Sequence, residues 1–378
     1  MKKWIISFYS VFLIAFIFYS YLFIDFNLSY LNRFYSNFIF DNRQLTSIMY
    51  ASFICTFFVF YFLFWRMYLN NTLGKKDIKW IIGMTSLTLL ISYPAMLSYD
   101  IFNYVLTAKV LYLYKENPYI IMPMQFTGDP FLAFTHAANK IALYGPTWLG
   151  ITSIPHFLGF GNFILILFNF KLLAAAFYAA TAWMLYKISK DFLSVVIFSL
   201  NPLVIIETLV SGHNDIAVVF FALSGLYLLS KKKILLAFIL LLLSILIKYS
   251  TLLLLPVFLY VVFLRIKNKT VNWDKIYAIC AILMLTAFLL APFREEIYPW
   301  YAIWFLPFVA LLRRKSMMVV SLVFSFSLLL RYIPYMLLGT HLDPSPLIKT
   351  LVTFVPVTCV LMFMFVKNKL WEKRFFRF

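Results

Sequence analysis

WIIGMTSLTLLISYPAML, residues 80–97, is an uncharged apolar run that ends against Ser98-Tyr99-Asp100-Ile101-Phe102-Asn103-Tyr104. A run of this length without a charge is what a helix needs to cross the hydrocarbon core of a bilayer. Its end places a carboxylate, Asp100, where the apolar segment gives way to the longest polar stretch of the chain. Similar runs recur on both sides. They predict spans near 5–24, 46–68, 80–97, 163–186, 192–210, 214–230, 234–248, 250–265, 276–292, 299–312, 316–335 and 346–366. Residues 146–159 form an extra apolar segment, interfacial or re-entrant.

Composition says the same. Hydrophobic residues make up 64% of the 378, charged residues 12%, and the mean hydropathy is +0.90. A water-soluble domain cannot bury so much apolar surface, and a β-barrel would alternate over ten-residue segments. The expected fold is an all-α, polytopic integral membrane protein of about twelve transmembrane helices in a single membrane domain over 1–378. The first span follows Lys2-Lys3, is long for a signal peptide and lacks a small-residue cleavage site, so it reads as a retained helix.

The net charge of +19 does not call for nucleic acid, because the basic residues cluster at span ends. Lys2-Lys3, Arg66 with Lys75, Lys76 and Lys79, Lys187 with Lys190, Lys231 to Lys233, Arg265 to Lys275, Arg313 to Lys315 and the tail from Lys367 read as one cytoplasmic face. The opposite face then carries most of the acids, among them Asp25, Asp41, Asp100, Glu116, Asp129, Asp215, Glu295, Glu296 and Asp343. This parity holds only if 146–159, short and interrupted by Pro155 and Gly159, lies at the interface rather than crossing.

Several chemistries have no seat. P-loop, GxGxxG, HExxH and GxSxG patterns are missing, internal repeats are not visible, and Cys55, Cys280 and Cys359 sit inside apolar spans without CxxC pairing, as packing residues do. No metal site or cofactor is expected.

The candidate chemistry gathers on the acidic face. Residues 98–146 form an external loop with juxtamembrane helices, too rich in aromatic and aliphatic residues to be disordered, and expected to roof a cavity. Asp100 at its start is either a base or a helix cap. Downstream, Asn201-Pro202 should break its helix. Glu207 is an acid inside an apolar span, a costly position and so a functional candidate. His213-Asn214-Asp215 offers an imidazole, an amide and an acid in succession, suited to sugar hydroxyls or a phosphate, with helix capping by Asn214 or Asp215 as the plainer alternative. Lys171, Lys248, Arg294 and Arg331 are the cations available to a lipid phosphate, or else snorkelling residues. Tyr298 to Pro307, which includes Trp300 and Tyr301, reads as an aromatic belt or as a stacking wall for a sugar or an isoprenoid.

Taken in order, Tyr99-Asp100-Ile101-Phe102-Asn103-Tyr104, Asn117-Pro118-Tyr119, Tyr144-Gly145-Pro146-Thr147-Trp148-Leu149, Asn201-Pro202-Leu203-Val204 leading to Gly212-His213-Asn214-Asp215, Lys248, and Trp300 to Pro307 resemble the landmarks of the bacterial polyprenyl-phosphomannose-dependent α-1,6-mannosyltransferases of the GT-C superfamily. The resemblance spans about residues 98 to 310. It implies an inverting transferase of the plasma membrane whose site faces outward. The donor would be a polyprenyl-phosphate hexose, mannose first, and the acceptor a glycolipid or glycan. Asp100 is carried over as base, His213, Asn214 and Asp215 as cavity lining, and Lys248 as neighbour of the donor phosphate. Tyr99, Tyr104, Asn117, Tyr144, Lys171, Arg294, Trp300 and Tyr301 complete the expected substrate-binding set. The rivals are a transporter or flippase for a lipid-linked or small solute, in which Glu207, Lys171 and Lys248 would be coupling residues, and a GT-C enzyme with another donor sugar.

Overall fold

A computed structural model describes residues 2–25, 27, 38–293 and 296–375. The main helices, numbered in chain order, are α1 (Lys2–Tyr21), α2 (Arg43–Leu69), α3 (Lys75–Leu89), α4 (Asp100–Tyr112), α5 (Pro146–Phe157), α6 (Phe163–Ser189), α7 (Phe192–Ser199) and α8 (Pro202–Ile205). They are followed by α9 (Asp215–Ser230), α10 (Ile234–Ile245), α11 (Leu255–Ile266), α12 (Trp273–Leu290), α13 (Leu306–Leu312), α14 (Lys315–Leu330), α15 (Ile333–Leu338) and α16 (Ser345–Phe375). Among the described residues there is no strand. The chain is a polytopic all-α membrane protein, because within a bilayer a helix satisfies its own backbone groups.

Among the described residues seven helical segments can cross a membrane by length and composition, and the bent pair Phe192–Ser199 with Pro202–Val210 makes up to an eighth. The expected spans at 214–230, 234–248 and 299–312 are shorter apolar helices, and the run at 80–97 stops being helical at Leu89, ahead of a short turn at Pro94–Met96. Pro94 cannot donate to a preceding turn, so the sequence stays apolar while the helix ends. The segment at 146–159 forms only the 12-residue α5. At 1.5 Å per residue it is well short of the roughly 30 Å hydrocarbon core.

Helices α1 and α3 run parallel. Lys2 Nζ meets Asp77 Oδ2 at 2.9 Å at one end, Tyr9 Oη lies 3.0 Å from Thr85 Oγ1 midway, and the Tyr21 hydroxyl donates to the Ile91 carbonyl at the other end. The end that holds Lys2 and Asp77 belongs with that where Arg313 pairs with Asp191 and Tyr68 donates to the same carboxylate. Asp100, His213 and Glu296 lie toward the opposite end, one helix length away along α14. Buried aromatics knit α1 to α2, with Phe16 against Phe57 at 5.1 Å and Tyr9 against Phe64 at 5.0 Å, both nearly edge to face. Such close packing is what associates helices where lipid removes the hydrophobic drive. Of the cysteines only Cys280 is buried; Cys55 and Cys359 are exposed on their helices.

Two features position the site. Asn201 caps α8 by accepting the Leu203 N–H at 3.0 Å, Pro202 occupies its first turn, and the span bends there by 65°. The helix then widens into a π turn over Ile206–Val210, with the Ser211 N–H reaching the Ile206 carbonyl. Gly212 follows with φ of +73°, a left-handed conformation that returns the chain to start α9, and a Cβ there would stand 3.2 Å from Ile101 Cδ1.

Candidate active site

Asp100 opens α4, its N–H held by Ser98 Oγ at 3.3 Å. Asn103, one turn on, donates to Asp100 Oδ1 at 3.3 Å and accepts the Ala137 N–H at 3.2 Å, which ties the acid to the loop above it. Its other oxygen, Oδ2, faces His213 Nδ1 at 3.5 Å, and the Asp100 side chain stays 24% exposed. The acid is therefore anchored on one side and open on the other. Burial would raise this carboxyl, but His213, with Lys248 and Asn103, outweighs it and holds Asp100 below the usual carboxylate value.

His213 is fully buried in the turn beyond the broken span. Its Nε2 lies 3.4 Å from Glu207 Oε2, and its ring stacks on Trp300 at 3.9 Å. Both ring nitrogens thus face a carboxylate oxygen. A neutral imidazole would turn a lone pair to one of them, so the arrangement is attractive on both sides only for the imidazolium. Burial opposes that charge, but the carboxylates of Asp100 and Glu207 close on either side prevail and raise the pKa to about 9. Tyr332 donates to the remaining Glu207 oxygen at 2.9 Å.

Two residues further, Asp215 begins α9 and is completely buried. Lys248 Nζ donates to both its oxygens at 2.9 and 2.8 Å, and the Trp304 indole N–H donates at 2.6 Å. Lys248 also lies 4.8 Å from the centre of the Tyr301 ring, which stacks on Trp304 at 4.4 Å. Three hydrogen bonds from two donor groups surround this buried carboxylate, so Asp215 is a partner of Lys248 and Trp304 rather than an N-cap.

The Asn214 N–H donates to Tyr104 Oη at 3.3 Å, and Tyr104 packs edge to face on Tyr144 at 4.7 Å and on Trp148 at 5.2 Å. The Asn214 side-chain amide is buried with no hydrogen-bond partner among the described residues, as are the Ser211 hydroxyl and the Trp300 indole N–H. Polar atoms left this way beside an open carboxylate suit a ligand rich in hydroxyls.

The structure therefore brings Asp100, Tyr104, Tyr144, His213, Asn214, Asp215, Lys248, Trp300 and Tyr301 together at one end of the bundle. Other expected members stand apart. Tyr99 stacks on His136 at 3.8 Å and donates to Asp25 at 3.2 Å. Asn117 is exposed and turns the loop by accepting the Tyr119 N–H. Lys171 is buried against the end of α3, where its Nζ donates to the Leu89 and Ser92 carbonyls and to Ser92 Oγ at 2.6 to 2.7 Å. Arg294 lies outside the described residues, and Arg331 binds Glu296, the Ile297 carbonyl and Thr353. Trp304, Tyr332 and Asn103 join the site without having been singled out; only Trp304, four residues after Trp300 in an aromatic run, carried a signal.

Residues 10–264 match the family model described as alpha-(1->6)-mannopyranosyltransferase, N-terminal domain. The chain belongs to this family. The match takes in Asp100, His213, Asp215 and Lys248 of the mannosyltransferase, while Trp300, Trp304 and Tyr332 lie beyond it. Neither the curated proteins nor the solved structures contain a significant match. Among the described residues no three His, Cys, Asp or Glu side chains converge as metal ligands.

Proposed function

We propose that this mannosyltransferase moves mannose from a polyprenyl-phosphate donor, with inversion, to a hydroxyl of a glycolipid or glycan on the outer side of the plasma membrane, and that Asp100 is the base. The acceptor oxygen attacks the anomeric carbon while its proton passes to Asp100. The bond from that carbon to the phosphate oxygen breaks, and polyprenyl phosphate departs with the electron pair. A positioned base contributes about 10²–10⁴ to such a step. Lys248, held by Asp215, is the cation nearest to hand for the departing phosphate. Trp300, Tyr301 and Trp304 offer flat apolar faces to sugar or isoprenoid. No resident metal or cofactor has a role here.

The observation that carries this reading is the geometry of Asp100: one oxygen faces an imidazolium, the side chain is partly open, and a cation lies at the same end of the bundle. The basic clusters at the other end support an outward site. The test is transfer of labelled mannose from synthetic polyprenyl phosphate by the purified protein. Asp100→Asn, nearly isosteric, should lower kcat by about 10²–10⁴ with folding retained. Transfer at the wild-type rate by that variant refutes the assignment, and transport of the labelled lipid without transfer refutes the enzyme.

A further inference from the structure

Glu207 takes no direct part in the transfer just described, yet it is 0% exposed in the second half of the broken span. An uncompensated buried carboxylate costs several kcal/mol, and in a membrane span such an acid marks function by default. Its surroundings show what holds it. One oxygen accepts from Tyr332 at 2.9 Å and the other faces His213 Nε2 at 3.4 Å, while the Glu207 carbonyl accepts the His213 N–H at 3.1 Å. A wide π turn, a common device at functional sites, carries Glu207, and the left-handed Gly212 turns the chain so that backbone and side chain of His213 both return to it.

We infer that Glu207 is a positioning residue that acts through His213 on Asp100, fixing the imidazole as a cation and limiting how far that cation removes the basicity of Asp100. This rests on the reading of Asp100 as base. With two groups only, a buried imidazolium beside Asp100 would stabilise its carboxylate and make it reluctant to take a proton. The second carboxylate gives the trio a net charge of −1, so the imidazolium is shared and Asp100 stays both ionised and a useful acceptor. The ring cannot rotate out of this line, because it is stacked on Trp300, itself stacked on Tyr298 at 4.5 Å. The other ionisable groups around the trio are Tyr50 and Tyr332 on the Glu207 side and Tyr104, Tyr144, Asp215 and Lys248 on the Asp100 side. The tyrosines are neutral at working pH and Asp215 balances Lys248, so the two carboxylates decide the charge of His213.

The test is a pH profile of kcat for the full chain in wild-type form, as Glu207→Gln and as Tyr332→Phe, alongside titration of ¹⁵N-labelled imidazoles. The chain has only 4 histidines, which makes the signals separable, and His213→Asn assigns the one of interest. The wild-type imidazole should lose its charge near pH 9 and activity should fall with it. Removing one carboxylate weakens the hold on the proton, so Glu207→Gln should move both the alkaline limb and the imidazole titration to lower pH by about one unit or more, with KM for the donor nearly unchanged. Tyr332→Phe, which keeps the acid and the ring, should perturb both in the same proportion to each other, and it carries the test should Glu207→Gln fail to fold. A loss of kcat with the limb and the imidazole titration unmoved overturns the inference and makes Glu207 structural. Undiminished transfer by Asp100→Asn would instead refute the base, and the imidazole titration would still report on Glu207.

Discussion

Removing the ammonium of Lys248 should destabilise the protein about as much as removing both members of its pair. Asp215 is 0% exposed and the Lys248 side chain only 16%, with contacts of 2.8 and 2.9 Å. At an effective dielectric of about 20, opposite unit charges some 3 Å apart attract by about 5–6 kcal/mol before the cost of desolvation is set against it. In Lys248→Met the carboxylate keeps only the Trp304 indole, and an orphaned buried charge of this kind costs about 3–5 kcal/mol. Asp215→Asn should cost somewhat less, since an exposed edge lets the ammonium reach water. The double variant removes both charges and should lose less than the two single variants summed, with a coupling energy of about 2–3 kcal/mol. The assay is a double-mutant cycle on equilibrium unfolding in mixed micelles, at low and high salt. Additive losses, within about 0.5 kcal/mol, would refute the reading of this pair as buried and mutually dependent. Turnover must also fall in Lys248→Met protein that remains folded, because the leaving phosphate loses its cation; unchanged turnover would remove Lys248 from the mechanism.

Other perturbations follow from single contacts. A Cβ at Gly145 would collide with the Leu246 carbonyl oxygen, which is backbone and cannot rotate away; Gly145→Ala should therefore cost about 2–4 kcal/mol of stability and be visible as loss of folded protein. Lys171→Met deprives the Leu89 and Ser92 carbonyls of their donor and should cost about 1–3 kcal/mol while kcat of the folded fraction is unaltered; a fall in kcat at unaltered stability would place Lys171 against substrate after all. Trp304→Phe removes one of the three hydrogen bonds to Asp215 and should lower both stability and turnover, detectable in the same unfolding and transfer assays. Chelation should leave turnover intact, because Asp100 and Glu207 each face His213 rather than one another; a chelator-sensitive rate restored by a divalent ion would contradict that.

Much of this was legible in the residues. Uninterrupted apolar runs announced the membrane, Asn201-Pro202 announced a broken helix, and a carboxylate at the end of an apolar segment pointed to the cluster of ionisable side chains around His213. Other features left no trace. Lys171 satisfies its charge with carbonyl oxygens released where Pro94 ends a helix, and carbonyls have no letter of their own. The partner of Glu207 is Tyr332, 125 residues away, a pairing that local patterns cannot announce. Asn117 shows the converse, because an Asn before Pro fits a turn as well as it fits a ligand, and here it makes the turn. Several expected spans are shorter helices than the apolar runs that announced them, for a similar reason: hydropathy measures how greasy a segment is, whereas helix length depends on where the hydrogen-bonded spiral stops.

Gly145 and Thr147 send their N–H groups to the carbonyls of Ile247 and Leu246, immediately before Lys248. The loop above Asp100 is thus riveted to the strap that bears the ammonium. Whatever lifts one tows the other, so under the proposed function admission of a fresh lipid-borne sugar would be geared to the grip on the spent carrier.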